Sequence, residues 1–254
     1  MDIPANQFKR NLLAKRHQVG MWVSLCSRYS AEIVAGSGFD WLVVDTEHAP
    51  NDIESVLSQL QSMAAYPVSP IVRPTCNDAV QLKRMLDIGA QTVLVPYVQT
   101  ADEAALAVAG TRYPPRGHRG AGGVMRASDF GRARDYTQRC EAEICVVVQI
   151  ESRQGLDNLE AIAAVDGVEG LFIGPADLAA SLGHTGDAGH PEVQSAIADA
   201  MRRILACGKA PGILALDEKQ ARRYMELGSL FTAVALDVAV LSRETARLAA
   251  LYKA

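Results

Sequence analysis

The stretch ICVVVQIESRQGLDNLEAIAAVDGVEGLFIGPAD (144–177) decides the fold. It opens and closes on apolar runs, ICVVVQI (144–150) and GLFIGP (170–175). Between them, Arg153 to Ala164 carries its apolar residues at helical spacing. A continuous apolar run suits a strand covered on both faces, as in a parallel sheet, whereas an alternating run suits a half-exposed one. Strand, helix and strand in that order make one βαβ unit. Both runs end in polar residues, Gln149 and Glu151 after the first and Asp177 after the second.

The same rhythm extends in both directions. GMWVSL (20–25), WLVVDT (41–46), PIVRP (70–74), TVLVPY (92–97), GILAL (212–216) and FTAVAL (231–236) are further strand candidates, making eight in all. Helices are expected at Asn51–Ala64, Asp78–Ile88, Ala101–Ala109, Pro191–Ala206, Asp217–Leu227 and Val238–Leu251, besides one near the N-terminus. Gly89, Gly208 and Gly228 stand where helices stop. Eight βα units in 254 residues predict an α/β fold, a single-domain (β/α)₈ TIM barrel over residues 1–254. A doubly wound open sheet is the competitor, and it is disfavoured because no glycine fingerprint follows the first strand. Residues 110–140, Gly-rich and Arg-rich, interrupt the rhythm between strands four and five. They are expected to form a lid or a subunit contact, with a plain surface excursion as the alternative.

The net charge of −4, with no dense Lys/Arg run, excludes nucleic acid as an expected partner. No segment is apolar for the roughly 18 residues a membrane span needs, and the N-terminal stretch is polar, so a cytoplasmic protein is expected. The five cysteines contain no Cys-x-x-Cys pair and read as reduced, which gives no support to a thiolate zinc site.

In a barrel, polar residues at the C-terminal ends of strands carry the chemistry. Here these are Asp45, Glu47 and His48 after strand two, Arg73 after strand three, Gln149 and Glu151 after strand five, and Gly174, Pro175 and Asp177 after strand six. Glu151 and Asp177 follow consecutive strands, and two neighbouring carboxylates suit a hard divalent cation. The plainer reading makes Asp177 a helix cap and Glu151 an ion-pair partner. His48 gains weight from Asp45, three residues earlier, since a carboxylate that bonds an imidazole makes it a better base. Glu47 is placed just behind these groups. A guanidinium at Arg73 needs an anion, either a developing enolate or an internal partner, Asp45 or Glu151. The turn from Gly174 to Asp177, opening a short helix, offers backbone N–H groups to a carboxylate. His17, His184 and His190 read as surface or loop residues. His118, with Arg116 and Arg119, is expected to meet an acidic substrate tail or another subunit.

These blocks are similar to a known family. GFDWLVVDTEHAPND (38–52), IVRPTCND (71–78), QTVLVPYVQTADEA (91–104), TRYPPRGHRG (111–120), VVQIESRQGLDNL (147–159), FIGPADLAASLGHTG (172–186) and GKAPGIL (208–214) resemble the HpcH/HpaI family of class II pyruvate aldolases over nearly the whole chain. The resemblance implies metal ligands at Glu151 and Asp177, a base dyad of His48 and Asp45, and Arg73 on the keto oxygen and enolate. It also implies a pyruvate pocket lined by Gln149, Gly174, Pro175, Ala176 and Leu214. The implied metal is Mg²⁺ or Mn²⁺, with Co²⁺ as a further candidate. The implied partners are a small 2-oxo acid, an aldehyde and other copies of the chain, as a hexamer built from dimers that exchange a terminal helix. The stretches 120–130 and 214–220 match least well and are expected to shape aldehyde preference.

The implied reaction is reversible cleavage of a 4-hydroxy-2-oxo acid to pyruvate and an aldehyde. The first case is 4-hydroxy-2-oxoheptanedioate, giving succinic semialdehyde in the breakdown of aromatic compounds. The alternatives are a 2-dehydro-3-deoxy sugar-acid aldolase, a malyl- or citramalyl-coenzyme A lyase, an oxaloacetate decarboxylase and a non-catalytic binding barrel. None of the lysines sits at a predicted strand end, which argues against a Schiff-base aldolase.

Overall fold

The computed structural model describes residues 2–253, so the two end residues of the expected 1–254 domain lie outside it. Eight parallel strands close into a barrel in chain order: β1 (Gln18–Val23), β2 (Trp41–Asp45), β3 (Ser69–Arg73), β4 (Thr92–Val95), β5 (Cys145–Ile150), β6 (Val168–Ile173), β7 (Ala210–Leu214) and β8 (Phe231–Leu236). β8 pairs with β1 and completes the ring. The expected barrel is therefore the observed one. Strand ends shift where backbone chemistry demands it. β4 stops at Val95 because Pro96 has no N–H for the ladder and Tyr97 turns left-handed at φ 54°. β6 stops at Ile173 because Gly174 caps the next helix and Pro175 begins it.

The helices are α1 (Gln7–Leu13), α2 (Arg28–Ala35), α3 (Ile53–Met63), α4 (Ala79–Asp87), α5 (Ala101–Thr111), α6 (Tyr136–Arg139), α7 (Arg153–Asp157), α8 (Leu159–Ala163), α9 (Pro175–Ser181), α10 (Pro191–Ala206), α11 (Glu218–Glu226) and α12 (Asp237–Lys253). Sequence periodicity does not reveal α2, because its buried face is only Ala31 and Ala35. The single helix expected over 153–164 is two, broken at Asn158, whose side chain donates to the Gln99 carbonyl at 2.8 Å. Ser27, Asp52, Asp78, Thr100 and Asp217 cap their helices through side-chain oxygens.

Side-chain alternation splits the core into an axial cluster and outer layers. Trp22, Trp41, Val43, Ile71, Leu94, Val147, Phe172 and Phe231 fill the barrel, and α1 closes its N-terminal end with Phe8 and Leu12. A Cβ at Gly20 would strike the Trp41 indole and one at Gly212 the Phe231 ring, so these glycines make room for the axial aromatics.

Residues 112–144 overturn the lid expectation. They follow α5, so they form a helix-to-strand connection that returns to the N-terminal face, opposite the catalytic face of a barrel. Arg119 donates to Asp87 at 2.8 Å and Arg126 to the Ile88 carbonyl at 2.7 Å, both at the C-terminal end of α4. Arg116, Arg119 and His118 are thus remote from the mouth. Among the described residues no helix is long and apolar enough to cross a membrane.

Candidate active site

Strand parity assembles the site. On β2, Trp41 and Val43 face the axis, and Asp45 continues the series; on β3 Arg73 follows Ile71, and on β5 Gln149 follows Cys145 and Val147. Asp45 and Arg73 are register partners across β2 and β3. Two residues beyond Asp45 and Gln149 stand Glu47 and Glu151, which keep the same inward sense.

Arg73 is 6% exposed. Its Nε and Nη2 donate to Asp45 Oδ1 and Oδ2 at 2.8 and 2.7 Å. Nη1 lies 2.7 Å from Glu47 Oε2 and donates to Gln149 Oε1 at 3.4 Å. Trp22 faces the guanidinium, 5.3 Å from its ring centroid. Gln149 passes the network on, donating through Nε2 to Glu151 Oε2 at 2.8 Å. Glu151 Oε1 accepts the Tyr97 N–H at 2.8 Å, which the left-handed backbone of Tyr97 aims at it. A Cβ at Gly174 would collide with the Glu151 carboxylate, so only glycine leaves this carboxylate its place.

The charges here do not balance. Burial raises the Glu151 carboxyl to about 7, the charges of Glu47 and Asp177 add to the rise, and the Tyr97 N–H and Arg73 oppose it. Burial also raises Glu47, with Arg73 and His48 opposing and Asp45 and Asp177 adding. One guanidinium, bonded by Asp45 and paired with Glu47, is set against four carboxylates. Glu151 is buried, while Asp177, in the first turn of α9, is exposed at the mouth. A divalent cation held by these two oxygen donors is what the charge balance lacks, so the residues fit such an ion.

Some expectations change. The Asp45 carboxylate is not paired with the His48 imidazole. It accepts Arg73 and the backbone N–H groups of Glu47 at 3.0 Å and His48 at 3.5 Å. The His48 side chain is 64% exposed, and the carboxylate beside its Nε2 is Glu47, at 3.9 Å. Of the two internal partners expected for Arg73, Asp45 is present and Glu151 is not. Gly174 is no free backbone donor, because its N–H bonds the Ile150 carbonyl at 3.2 Å. Pro175 has no N–H, which leaves those of Ala176 and Asp177 in the first turn. Asp177 itself does not cap α9, for Gly174 holds that position. Leu214 ends β7, half-buried against the axial cluster.

Sequence reasoning missed Trp22, Tyr97 and Asp237. Asp237 is 5% exposed and accepts the Ser24 and Leu25 N–H groups at 2.9 and 3.1 Å, tying the end of β8 to the end of β1. Its signal was available, since it directly follows the apolar run FTAVAL.

Barrel and charged mouth together define a (β/α)₈ enzyme with a carboxylate–guanidinium centre. Residues 18–243 match the model of the HpcH/HpaI aldolase/citrate lyase family. A 4-hydroxy-2-oxo-heptane-1,7-dioate aldolase of Klebsiella pneumoniae is 56% identical over 97% of this chain and 94% of its own. A pyruvate aldolase of Rhizobium etli is 55% identical over 99% of both chains. A solved structure from Burkholderia cenocepacia, described as an HpcH/HpaI aldolase/citrate lyase family protein, superposes with TM-score 0.95 at 44% identity, covering 98% of this chain and all of that one. The chain belongs to the HpcH/HpaI aldolase/citrate lyase family, and with it to the carbon–carbon lyases.

Proposed function

We propose that this chain is a metal-dependent class II aldolase that reversibly cleaves 4-hydroxy-2-oxo acids to pyruvate and an aldehyde. Its first substrate is 4-hydroxy-2-oxoheptanedioate, which yields succinic semialdehyde. The carrying observation is the buried Arg73–Gln149–Glu151 network with Asp177 at its rim. The high identity to a relative bearing that substrate's name supports the choice. The relative named only for pyruvate matches almost as well, so the pyruvate half of the reaction has the wider support.

Glu151 and Asp177 would hold the divalent cation, Mg²⁺ or Mn²⁺ before Co²⁺, and the bound ion supplies Lewis-acid stabilisation of an oxyanion. The N–H groups of Ala176 and Asp177 receive the substrate carboxylate, beside Pro175 and Leu214. His48 Nε2 takes the proton of the C4 hydroxyl, while Asp45 holds the loop through the N–H groups of Glu47 and His48. The C4 oxygen lone pair forms the aldehyde carbonyl, and the C3–C4 bond pair moves to C3 and the keto oxygen. Arg73, fixed by Asp45, steadies the charge that builds on that oxygen. Protonation at C3 completes pyruvate. The connection 112–144, lying at the far end of the barrel, offers no cationic cradle for a nucleotide, which counts against a coenzyme A substrate.

Pyruvate release from 4-hydroxy-2-oxoheptanedioate after EDTA treatment tests this reading. Activity is expected to vanish and to return with Mg²⁺ or Mn²⁺; full activity in EDTA, or none with any metal, sinks it. The chain is further proposed to work as a homo-oligomer, a hexamer of helix-exchanging dimers. From Val240 onward α12 is exposed, and Leu241, Leu251 and Tyr252 are 53, 60 and 82% exposed. Such an apolar helix off the barrel suits a second copy. Light scattering of Leu241→Glu is expected to show smaller species than the wild type, and an unchanged mass counts against the exchange. The cysteines, all free, suit a reducing compartment, the cytoplasm.

A further inference from the structure

We propose that His184, His190 and Glu192 form a second cation site, built for a d-block ion such as Zn²⁺, on the connection between α9 and α10. One ligand atom from each of the three lies within 4.8 Å of the others. His184 Nε2 is 3.0 Å from Glu192 Oε2, and the two imidazoles stack with centroids 3.5 Å apart, inclined by 16°. Donors around a tetrahedral zinc ion stand roughly 3.4 Å apart, given bonds of about 2.0–2.2 Å. Swinging the two rings out of their stack, with His190 giving up the Glu192 N–H, lets one lone pair of each converge with the Glu192 carboxylate on one point and completes a three-ligand site with a position left for water.

The backbone sets the loop in advance. His184 donates to the Ala179 carbonyl at 2.8 Å, Asp187 to that of His184 at 2.9 Å, and His190 to that of Asp187 at 3.1 Å. The carboxylate has an outer partner, since Glu192 Oε1 accepts Arg153 Nη2 at 3.2 Å. Such a hydrogen bond to a ligating carboxylate orients it and tunes its affinity. Local structure accounts for less than the whole cluster. His190 Nδ1 caps α10 by accepting the Glu192 N–H, but at 3.3 Å this is a long bond that asparagine would make equally well. Neither that cap nor the His184–Glu192 pair requires the two rings to lie face to face.

The donors separate this site from the one at the mouth. Imidazole nitrogens favour zinc and its neighbours, whereas the oxygen donors of Glu151 and Asp177 favour hard cations. An ion here would fasten α9, which carries Asp177, to α10. Arg153 links the two regions, because its N–H donates to Ser181 Oγ at 2.9 Å two residues after Glu151.

Equilibrium dialysis against Zn²⁺ at pH 7.5 tests the proposal without reading activity, so its outcome is separate from that of the aldolase reading. In the Glu151→Gln/Asp177→Asn chain one equivalent of zinc is expected to remain, undisturbed by excess Mg²⁺. Adding His190→Asn, which keeps the helix cap and removes the imidazole, is expected to weaken binding at least ~10-fold. His184→Gln is expected to do the same, with helix content checked by circular dichroism. Should the double variant not fold, the wild-type chain with its oxygen site filled by excess Mg²⁺ gives the same reading. Zinc affinity indifferent to both histidine substitutions, or no zinc bound, overturns the proposal.

Discussion

The two ends of the barrel treat buried charge in opposite ways. At the N-terminal end Arg119, 1% exposed, meets Asp87 at 2.8 Å and lies over the Tyr113 ring at 4.6 Å. Lys9 meets Glu169 at 3.1 Å, so cations and carboxylates there come in pairs. At the mouth the one guanidinium of Arg73 pairs with Asp45 and Glu47 and, among the described residues, leaves Glu151 and Asp177 without a cation of their own. The first end pairs its charges, although Arg119 Nε and Nη1 find no hydrogen-bond partner among the described residues; the second holds carboxylates in excess, an excess that a proton on Glu151 or a bound cation relieves. A hollow by itself does not mark the working end, since a cavity of about 720 Å³ lies at the N-terminal one, between the α3 terminus and residues 126–144. Converging, unbalanced charge marks it instead.

Arg73→Ala strikes this contrast hardest. Turnover is expected to fall on the order of 10²–10³, the usual loss on removing an oxyanion donor. Stability is expected to fall by about 3–5 kcal/mol, because Asp45 is left buried and unpaired. Pyruvate-release kinetics and urea unfolding read the two effects, and near-normal turnover would remove Arg73 from the chemistry.

The next effect concerns pH in metal-free protein. With its carboxyl raised from 4.5 to about 7, Glu151 keeps a proton in the folded chain that the unfolded chain has lost. The unfolded state binds fewer protons across that window, so stability declines as pH rises from 4.5 to 7. The decline is on the order of 3 kcal/mol, and Mg²⁺ at pH 7.5 is expected to restore it. Glu151→Gln should flatten the profile and stabilise the metal-free chain at pH 7.5 while abolishing activity. Unfolding midpoints that climb with pH would contradict the excess-charge account.

At the other end the effects are smaller and confined to stability. Arg119→Ala is expected to cost about 1–3 kcal/mol with kcat unchanged, since it strips a buried donor from Asp87. His118→Ala, exposed beside it, should stay within about 0.5 kcal/mol and leave KM unaltered. A raised KM in either variant would bring the 112–144 connection back to the substrate.

Strand candidates were legible because parallel strands buried on both faces read as unbroken apolar runs. Asp45, Arg73, Gln149 and Glu151 were legible because they end those runs. Glu47 was underrated and the Asp45–His48 pair overrated for one reason: no single run of residues announces which way a side chain turns once its strand has ended. The lid reading of 110–140 failed because a glycine-rich stretch looks alike at either end of a barrel; its reading as a subunit contact stands apart from that.

The sequence alone determined the alternating βα order, the number of strands and the residues at their C-terminal ends, since these follow from local apolar patterning and chain direction. Only the tertiary structure decided that Arg73 is held by Asp45, that Glu47 stands between Arg73 and His48, and that residues 112–144 lie far from the mouth. Those are relations between strands and loops distant along the chain. They are fixed by sheet register and barrel closure, which no local pattern encodes.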